Sequence, residues 1–304
     1  MFLEPTEFLA APEAVDRAWA LPESLAYTKW LATHHYENFH VVSFLLPARL
    51  RQDFYNVYSF CRWADDLGDE MDNPADSLRL LNWWRSELYA MQAGRVRHPV
   101  FVALQGTAQK YQLPVARFND LITAFEQDQR VTRYRDFDQL LSYCRYSANP
   151  VGRLVLLLCG YRDEERAQLS DATCSALQLA NFWQDVTVDL AKDRVYLPLE
   201  LLEAHGYSLE ALQARRFEPG FRDAMKEAVE ITRKLFVKGL PLAGRVDRRL
   251  AIDLELFSRG GLRVLHKIEK QDYNVLAARP SISKLERVGL LLGAMGRRAF
   301  SRAA

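Results

Sequence analysis

The chain has 304 residues, of which 49% are hydrophobic, so it is long and apolar enough to bury a sizeable core and is not intrinsically disordered. Its 40 Lys and Arg residues against 39 Asp and Glu residues leave a formal net charge of +1, which excludes the basic field of a general nucleic-acid binder. The four cysteines have no C-x-x-C spacing, which favours buried thiols over disulfides or zinc ligands. We therefore expect a cytoplasmic protein without a nucleic-acid partner.

Apolar residues recur at three- and four-residue spacing along the chain, and we find no convincing alternating strand pattern and no Asn-Gly or Asp-Gly turn. This pattern predicts an all-α fold. Prolines divide the chain into helical segments of ordinary length, because proline is tolerated at the start of a helix but not in its interior. The dividing prolines are Pro22, Pro47, Pro74, Pro99, Pro114, Pro150, Pro198, Pro219, Pro241 and Pro280. No repeat or linker stands out, so residues 1–304 are predicted to form one domain.

The first acidic segment runs from Phe54 to Glu70. Its apolar residues follow one helical stripe, and a further step along that stripe reaches Asp65 and Asp69, so carboxylates are expected to replace apolar groups on the inward face. The two carboxylates are about 6 Å apart along a helix axis with a rise of ~1.5 Å per residue, and their oxygens can share hard cations. Asp66 and Glu70 are not assigned a role by this pattern.

A second stripe leads from Cys174 and Leu177 into Asn181, Asp185 and Asp189 at steps of four residues. This pattern offers three oxygen ligands on one helix face, which suits Mg²⁺. The alternative for any single pair of acids is a solvated helix surface. Like charges at this spacing cost an isolated helix about 0.2–0.5 kcal/mol per pair, and acidic helices facing each other in a core need cations between them. We therefore predict a metal-filled cavity.

Basic side chains accompany both acidic segments. Arg62 precedes the first acid pair by one turn, and Lys192, Arg194 and Tyr196 follow the second stripe. Such cations favour a polyanionic ligand, although salt bridging is the alternative and is the preferred interpretation for Lys192 alone. A diphosphate bridged to the acids by Mg²⁺ becomes a good leaving group and leaves a carbocation, which requires an apolar, aromatic cavity.

Two motifs resemble those of the squalene and phytoene synthase family. The run CRWADDLGDE at residues 61–70 resembles the family's first aspartate-rich motif, and QLANFWQDVTVD at residues 178–189 resembles the second. Further agreement comes from YCRYSANPVGR at 143–153, RVYLP at 194–198 and YNVL at 273–276, so the match covers nearly the whole chain. The resemblance implies a single-domain, all-α isoprenoid synthase fold, a helical bundle with a central cavity.

The resemblance also implies roles for individual residues. Five oxygen-bearing residues would hold two or three Mg²⁺ ions and the diphosphate of an isoprenoid substrate: Asp65, Asp69, Asn181, Asp185 and Asp189. Seven others would contact the diphosphate, its metals or the isoprenoid: Arg62, Gln178, Lys192, Arg194, Tyr196, Phe39 and Tyr143. Among these, Tyr143 would face the reacting cation.

Two departures from the usual family pattern resemble the hydroxysqualene synthase branch of hopanoid biosynthesis. The chain reads YENF at 36–39, where many members have Ser-x-Ser-Phe, and SANP at 147–150, where many have Val-Ala-Gly. That branch implies ionisation of presqualene diphosphate, rearrangement and capture by water, giving hydroxysqualene without NADPH. We hypothesise that the break at Asn149 and Pro150 reshapes the cavity helix and admits the water.

Two other functions remain open. The first is condensation of two farnesyl or geranylgeranyl diphosphates to presqualene diphosphate, squalene or phytoene. The second is a non-catalytic assembly protein, which is disfavoured because all the acidic residues are retained. No apolar run reaches the roughly 20 residues that span a bilayer. The segment Val288 to Phe300 either lies on a membrane surface or, as we slightly favour, packs on the body of the protein; the sequence does not give the oligomeric state.

Overall fold

The computed structural model describes residues 2–15, 17–34, 47–283 and 286. These residues are mostly helical and form no β-strand, only an isolated bridge between Arg133 and Val195. The predicted all-α fold is therefore confirmed. No helix in the described part of the chain is both long and apolar enough to cross a membrane. All four cysteines are free thiols; Cys144 is buried as predicted, whereas Cys61, Cys159 and Cys174 are only partly buried.

The helices follow one another with short connections. In chain order they are α1 (Pro5–Leu9), α2 (Pro12–Val15), α3 (Leu21–His34), α4 (Ala48–Asp69), α5 (Pro74–Gln92), α6 (Pro99–Tyr111), α7 (Val115–Asp128), α8 (Phe137–Ser147), α9 (Asn149–Leu158), α10 (Glu164–Gln184), α11 (Val186–Ala191), α12 (Leu199–Ala204), α13 (Leu209–Gln213), α14 (Pro219–Gly239), the 3₁₀-helix Leu240–Gly244 and α15 (Arg248–Lys270).

The chain divides into two compact units. The first unit is Met1–Arg130 with Pro150–Arg162, and the second is Val131–Asn149 with Asp163–Ala304. In the first, α4 packs against α3, α5, α6 and α7. In the second, α10 packs against α8, α14 and α15. The prediction of one domain over residues 1–304 stays a prediction.

Aromatic rings fill the core of the first unit around α4. The indoles of Trp63 and Trp84 are parallel, with centroids 5.1 Å apart, and the His98 ring lies edge-on to both at 4.4 and 4.9 Å. Burial lowers the pKa of His98 to about 3, so its ring is neutral at neutral pH. Its Nδ1 accepts a hydrogen bond of 3.3 Å from the backbone N–H of Val100 and thereby caps α6.

A buried polar network fixes α4 against α6. The Asp53 carboxylate accepts hydrogen bonds from Thr107 Oγ1 at 2.9 Å, Lys110 Nζ at 2.9 Å and Tyr111 Oη at 2.8 Å. Each oxygen of this carboxylate therefore has a partner, as a buried charge requires. The network holds the first half of α4, and the acidic residues lie at the other end of the same helix.

Close helix contacts in the second unit depend on glycine. A Cβ atom at Gly261 of α15 would overlap the ring of Phe236 on α14, which is fully buried. Behind the second acidic segment, Trp183 Nε1 donates to Thr232 Oγ1 of α14 at 2.7 Å. Both contacts hold helices directly against their neighbours, and the Trp183 bond anchors the end of α10 that carries the acidic residues.

Candidate functional site

The first acidic motif, defined as Asp65 and Asp69, lies in the last two turns of α4. The prediction that both point into the core is wrong, because Asp69 is exposed and the Asp65 side chain is 49% exposed. The core side of α4 is occupied by Trp63 and Leu67, which are fully buried. At about 100° per residue, this arrangement turns Asp65 and Asp69 towards a flank that solvent reaches.

Arg62 is held between two carboxylates of the same helix. Its Nε donates to Asp66 Oδ2 at 3.2 Å, its Nη1 lies 3.5 Å from Asp65 Oδ2, and its Nη2 pairs with Asp66 Oδ1. Burial alone would lower the pKa of Arg62, but the Asp66 and Asp65 carboxylates raise it above its usual value. Asp66, which the sequence pattern left unassigned, is buried and fixes this guanidinium beside Asp65.

The acidic end of α4 is tied to its neighbours through Gly68. The Gly68 carbonyl accepts hydrogen bonds from Gln129 Nε2 at 2.8 Å and from Ser77 Oγ at 3.3 Å. A Cβ atom at this position would lie 3.2 Å from Cδ1 of Phe125, so glycine allows α7 to approach closely. Because terminal carbonyls of a helix otherwise lack partners, these bonds make the last turn of α4 a fixed support for Asp65 and Asp69.

The second acidic motif, defined as Asn181, Asp185 and Asp189, spans a helix break. Asn181 is exposed near the end of α10, Asp185 is the C-cap with φ −105° and ψ 14°, and Asp189 belongs to α11. The predicted single continuous helix is therefore wrong. The four-residue spacing nevertheless persists in the backbone, since the Asp185 N–H donates to Asn181 O at 2.9 Å and the Asp189 N–H donates to Asp185 O at 2.9 Å.

A residue that the sequence analysis missed contacts the second acidic motif. Arg279, nine residues beyond α15, places its Nη2 3.1 Å from Asp185 Oδ2, and its Nε pairs with Oδ1 of the same carboxylate. Beside it, Gln184 Nε2 donates to the Pro280 carbonyl at 2.6 Å. The chain after α15 therefore returns to the end of α10, and no local sequence pattern predicts this contact.

Four aromatic rings cluster beside the second acidic motif. Phe182 and Tyr196 are stacked, with centroids 3.6 Å apart and an interplanar angle of 6°. The Tyr143 ring lies 6.2 Å from each of them, and Tyr134, which the sequence analysis did not single out, lies 5.6 Å from both tyrosine rings. Tyr143 is only 4% exposed. The structure thus brings the predicted Tyr143 and Tyr196 together with Phe182 on α10.

A short loop presents the basic residues that follow α11. The Arg194 N–H donates to Asp189 O at 2.9 Å, and the Val195 N–H donates to Thr132 O at 2.8 Å. The turn is completed by Asp193 with φ 54°, whose side chain and carbonyl both pair with Arg133. The loop therefore holds Arg194 beside Asp189, whereas Lys192 is exposed.

A small cleft in the second unit lies among these groups; it is lined by Phe182, Val186, Asp189, Leu190, Arg194, Val195, Tyr196, Leu197 and Leu212. It combines a carboxylate and a guanidinium with two stacked aromatic rings. Gln178 is half-buried on α10, outside this lining.

Some predicted features fall where the structure gives no description. Phe39 and the segment Val288 to Phe300 lie outside the described residues. Their predicted roles in substrate and membrane contact therefore stay predictions.

The oxygen donors present are compatible with Mg²⁺. Among the described residues, no three His, Cys, Asp or Glu side chains gather closely enough to hold a metal ion by themselves. Mg²⁺ commonly uses one or two carboxylates, with substrate phosphates and waters completing its octahedron. Asp65 and Asp69 in the first unit form one such incomplete donor set, and Asp185, Asp189 and the Asn181 amide in the second unit form another.

Comparisons with known proteins point to one family. The profile described as Squalene/phytoene synthase matches residues 32–286. Hydroxysqualene synthase of Rhodopseudomonas palustris is 33% identical over 277 residues, 89% of this chain and 93% of the relative. Phytoene synthase of Thermus thermophilus is 32% identical over 258 residues, 84% and 87% of the respective chains. The crystal structure of squalene synthase HpnC from Alicyclobacillus acidocaldarius matches with a TM-score of 0.81 and 44% identity, covering 84% of this chain and 96% of that one. The resemblance and the predicted isoprenoid synthase fold are confirmed.

Proposed function

The chain belongs to the squalene and phytoene synthase family, and on that premise we propose that it ionises presqualene diphosphate with Mg²⁺ and that water captures the rearranged cation as hydroxysqualene. The proposal is carried by the cleft of the second unit, where Asp189 and Arg194 adjoin the rings of Phe182 and Tyr196. Charged groups suit a diphosphate, and aromatic faces suit the carbocation that remains after its departure.

The guanidinium groups of Arg62 and Arg194 would bind the diphosphate. Arg62 is positioned by Asp66 and Asp65, so its guanidinium is oriented before substrate arrives, and the backbone of Arg194 is held beside Asp189 by its loop. A preorganised donor stabilises developing negative charge without reorganising in the transition state. When bound, Mg²⁺ would supply Lewis-acid stabilisation of the departing diphosphate, with the two acidic motifs as its protein ligands.

The aromatic rings would stabilise the positive charge of the carbocation. Phe182 and Tyr196 line the cleft, and the ring of Tyr143 lies 6.2 Å from each of them in a buried position. Cation–π contact contributes about 0.5–2 kcal/mol per ring, more when water is excluded.

A condensing enzyme is the second candidate. It is favoured by the 32% identity to the phytoene synthase of Thermus thermophilus, which nearly equals the 33% identity to the hydroxysqualene synthase of Rhodopseudomonas palustris. Both reactions begin with metal-assisted loss of diphosphate, and the acidic and basic residues described above serve either one. Sequence identity at this level does not distinguish presqualene diphosphate from farnesyl or geranylgeranyl diphosphate as the substrate, so an experiment is needed.

The test is incubation of the purified protein and Mg²⁺ with presqualene diphosphate, without NADPH, followed by mass spectrometry of the organic phase. We expect hydroxysqualene from the wild type and a roughly 100- to 1,000-fold lower rate from Asp65→Asn, because a charged ligand to the leaving group's metal is lost. Asp72→Asn, an exposed acid three residues beyond Asp69, is the matched control and should keep wild-type activity. Inertness towards presqualene diphosphate with consumption of farnesyl or geranylgeranyl diphosphate would assign the condensing function instead.

A further inference from the structure

A buried polar cluster interrupts the apolar contact between α10 and the joint of α8 and α9. Asn149 and Ser175 are 8% and 6% exposed, and Ser175 Oγ donates to Asn149 Oδ1 at 2.9 Å. Their neighbours Ala148 and Ala176 are buried and apolar. Two hydrogen-bonding side chains in such surroundings form a local polar site, since buried polar groups are costly unless they are paired.

The hydroxyl of Ser147 adds an unsatisfied group at the same joint. Ser147 Oγ is buried and has no hydrogen-bond partner within the described part of the protein. It belongs to the last residue of α8, two positions before Asn149. A buried hydroxyl without a protein partner is commonly satisfied by an ordered water, and a water needs two to four polar partners. The Ser147 hydroxyl and the Asn149 amide are two such groups at one helix joint.

Helix geometry aligns this polar cluster with the aromatic rings. Ser147 follows Tyr143 by four residues on one face of α8, and Ser175 precedes Phe182 by seven residues on one face of α10. These faces of α8 and α10 face each other at two positions. At one position the Tyr143 and Phe182 rings lie 6.2 Å apart, and at the other the Asn149 and Ser175 side chains are hydrogen-bonded. The polar cluster is therefore about two helical turns, roughly 10 Å along α10, from the ring of Phe182.

We propose that Ser147, Asn149 and Ser175 bind one ordered water molecule and that this water captures the carbocation. The proposal rests on the proposed function and names the source of the hydroxyl group. One lone pair of the water oxygen forms the C–O bond to the cationic carbon, and the proton that the oxygen then loses passes to the diphosphate released in the first step. Loss of a proton from carbon instead gives a hydrocarbon with one more double bond.

Product partition tests the role of the water. With presqualene diphosphate and Mg²⁺, total diphosphate release and the ratio of hydroxysqualene to hydrocarbon are measured for wild type, Ser147→Ala, Ser175→Ala and Ser147→Thr. Losing one hydrogen bond to the water should lower the ratio roughly five- to tenfold in both alanine variants, while diphosphate release changes little. Ser147→Thr keeps the hydroxyl and should retain the alcohol. Ser142→Ala, on another face of α8, is the matched control and should leave the ratio unchanged.

A crystal structure tests the water site independently of activity. The wild type should show an ordered water within hydrogen-bond distance of Ser147 Oγ, and Ser147→Ala should lose it. An unchanged product ratio in both alanine variants, or a site without ordered water in well-defined density, overturns the proposal. If wild type does not release diphosphate from presqualene diphosphate, the proposed function fails and the assignment of this water to capture fails with it, while the water site itself is decided by the density.

Discussion

Arg279 and Asp185 form a two-point ion pair although 94 residues separate them in the chain. The guanidinium thereby occupies both oxygens of a carboxylate that is predicted to bind Mg²⁺. Any cation binding at Asp185 must compete with this pair, whose Arg279 side chain is 53% exposed. Exposed ion pairs contribute about 0.2–1 kcal/mol, so the competition is modest and reversible.

Arg279→Gln should therefore tighten cation binding by the protein alone. We expect a two- to fivefold lower Kd for Mn²⁺ in calorimetric titration without substrate, which corresponds to about 0.5–1 kcal/mol. Arg245→Gln, which breaks the ion pair with Glu165 in the same unit, serves as the matched control and should leave the Kd unchanged. Equal affinities for wild type and Arg279→Gln would show that the pair does not compete with the metal.

Phe182→Leu should slow ionisation while preserving the fold. Leucine keeps an apolar side chain but removes the aromatic ring that lines the cleft, and a lost cation–π contact of about 0.5–2 kcal/mol lowers kcat roughly two- to thirtyfold. The rate of diphosphate release measures this effect. Phe217→Leu changes an exposed phenylalanine of the same unit and is the control. Identical rates for the two variants would remove Phe182 from the stabilisation of the cation.

The prolines predicted several helix boundaries well because their effect on the backbone is local. Pro47, Pro114 and Pro198 are N-caps of α4, α7 and α12, and Pro74 and Pro99 are the first residues of α5 and α6. Proline lacks the N–H that a helix start cannot use, so its position is informative without tertiary context. The break at Asp185 has no proline or glycine to mark it, and the sequence pattern therefore ran through it.

The orientation of the acidic residues depended on contacts that periodicity does not contain. Asp65 and Asp66 differ by one position, and the burial of Asp66 follows from its pairing with Arg62 and from the packing of Trp63 and Leu67. The contact of Arg279 with Asp185 likewise requires the return of the chain after α15. The spacing in the sequence identified the acidic and basic residues that occur together in the two motifs. Tertiary packing decided which of these residues face solvent.

Gly261→Ala should destabilise the protein, and Gly260→Ala should not. The new Cβ at Gly261 would overlap the fully buried ring of Phe236, whereas a Cβ at Gly260 would have no atom within 4 Å. We expect a loss of about 1–3 kcal/mol for Gly261→Ala and a gain of up to about 1 kcal/mol for Gly260→Ala, because alanine favours the helix. Urea denaturation measures both. Equal effects of the two neighbouring substitutions would contradict the close approach of α14 and α15.

Asp253 should make stability fall with rising pH. It is 2% exposed, and neither carboxyl oxygen has a hydrogen-bond partner among the described residues. Burial, with a smaller effect of the Asp247 carboxylate, raises the pKa of Asp253 to about 8. Between the unfolded pKa of about 3.9 and this value the folded chain retains a proton that the unfolded chain releases. Its contribution to stability is therefore complete below about pH 4 and declines towards pH 8, by at most about 1.4 kcal/mol per pH unit.

Asp253→Asn removes this titration. We expect the variant to show a flatter dependence of Tm on pH and a higher Tm than wild type near pH 8, measured by calorimetry across the interval. Asp138→Asn, an exposed acid of the same unit, should leave the pH dependence as it is. A wild-type profile parallel to that of Asp253→Asn would mean that Asp253 does not hold a proton in the folded state.

The placement of tryptophan gives the two units different optical signatures. Trp19, Trp30, Trp63, Trp83 and Trp84 belong to the first unit, and Trp183 to the second. The parallel indoles of Trp63 and Trp84, with centroids 5.1 Å apart, are close enough for their electronic transitions to couple, and this coupling requires their stacking to be intact. Loss of this coupling during heating therefore reports the melting of the first unit, whereas Trp183 is the one indole of the second unit.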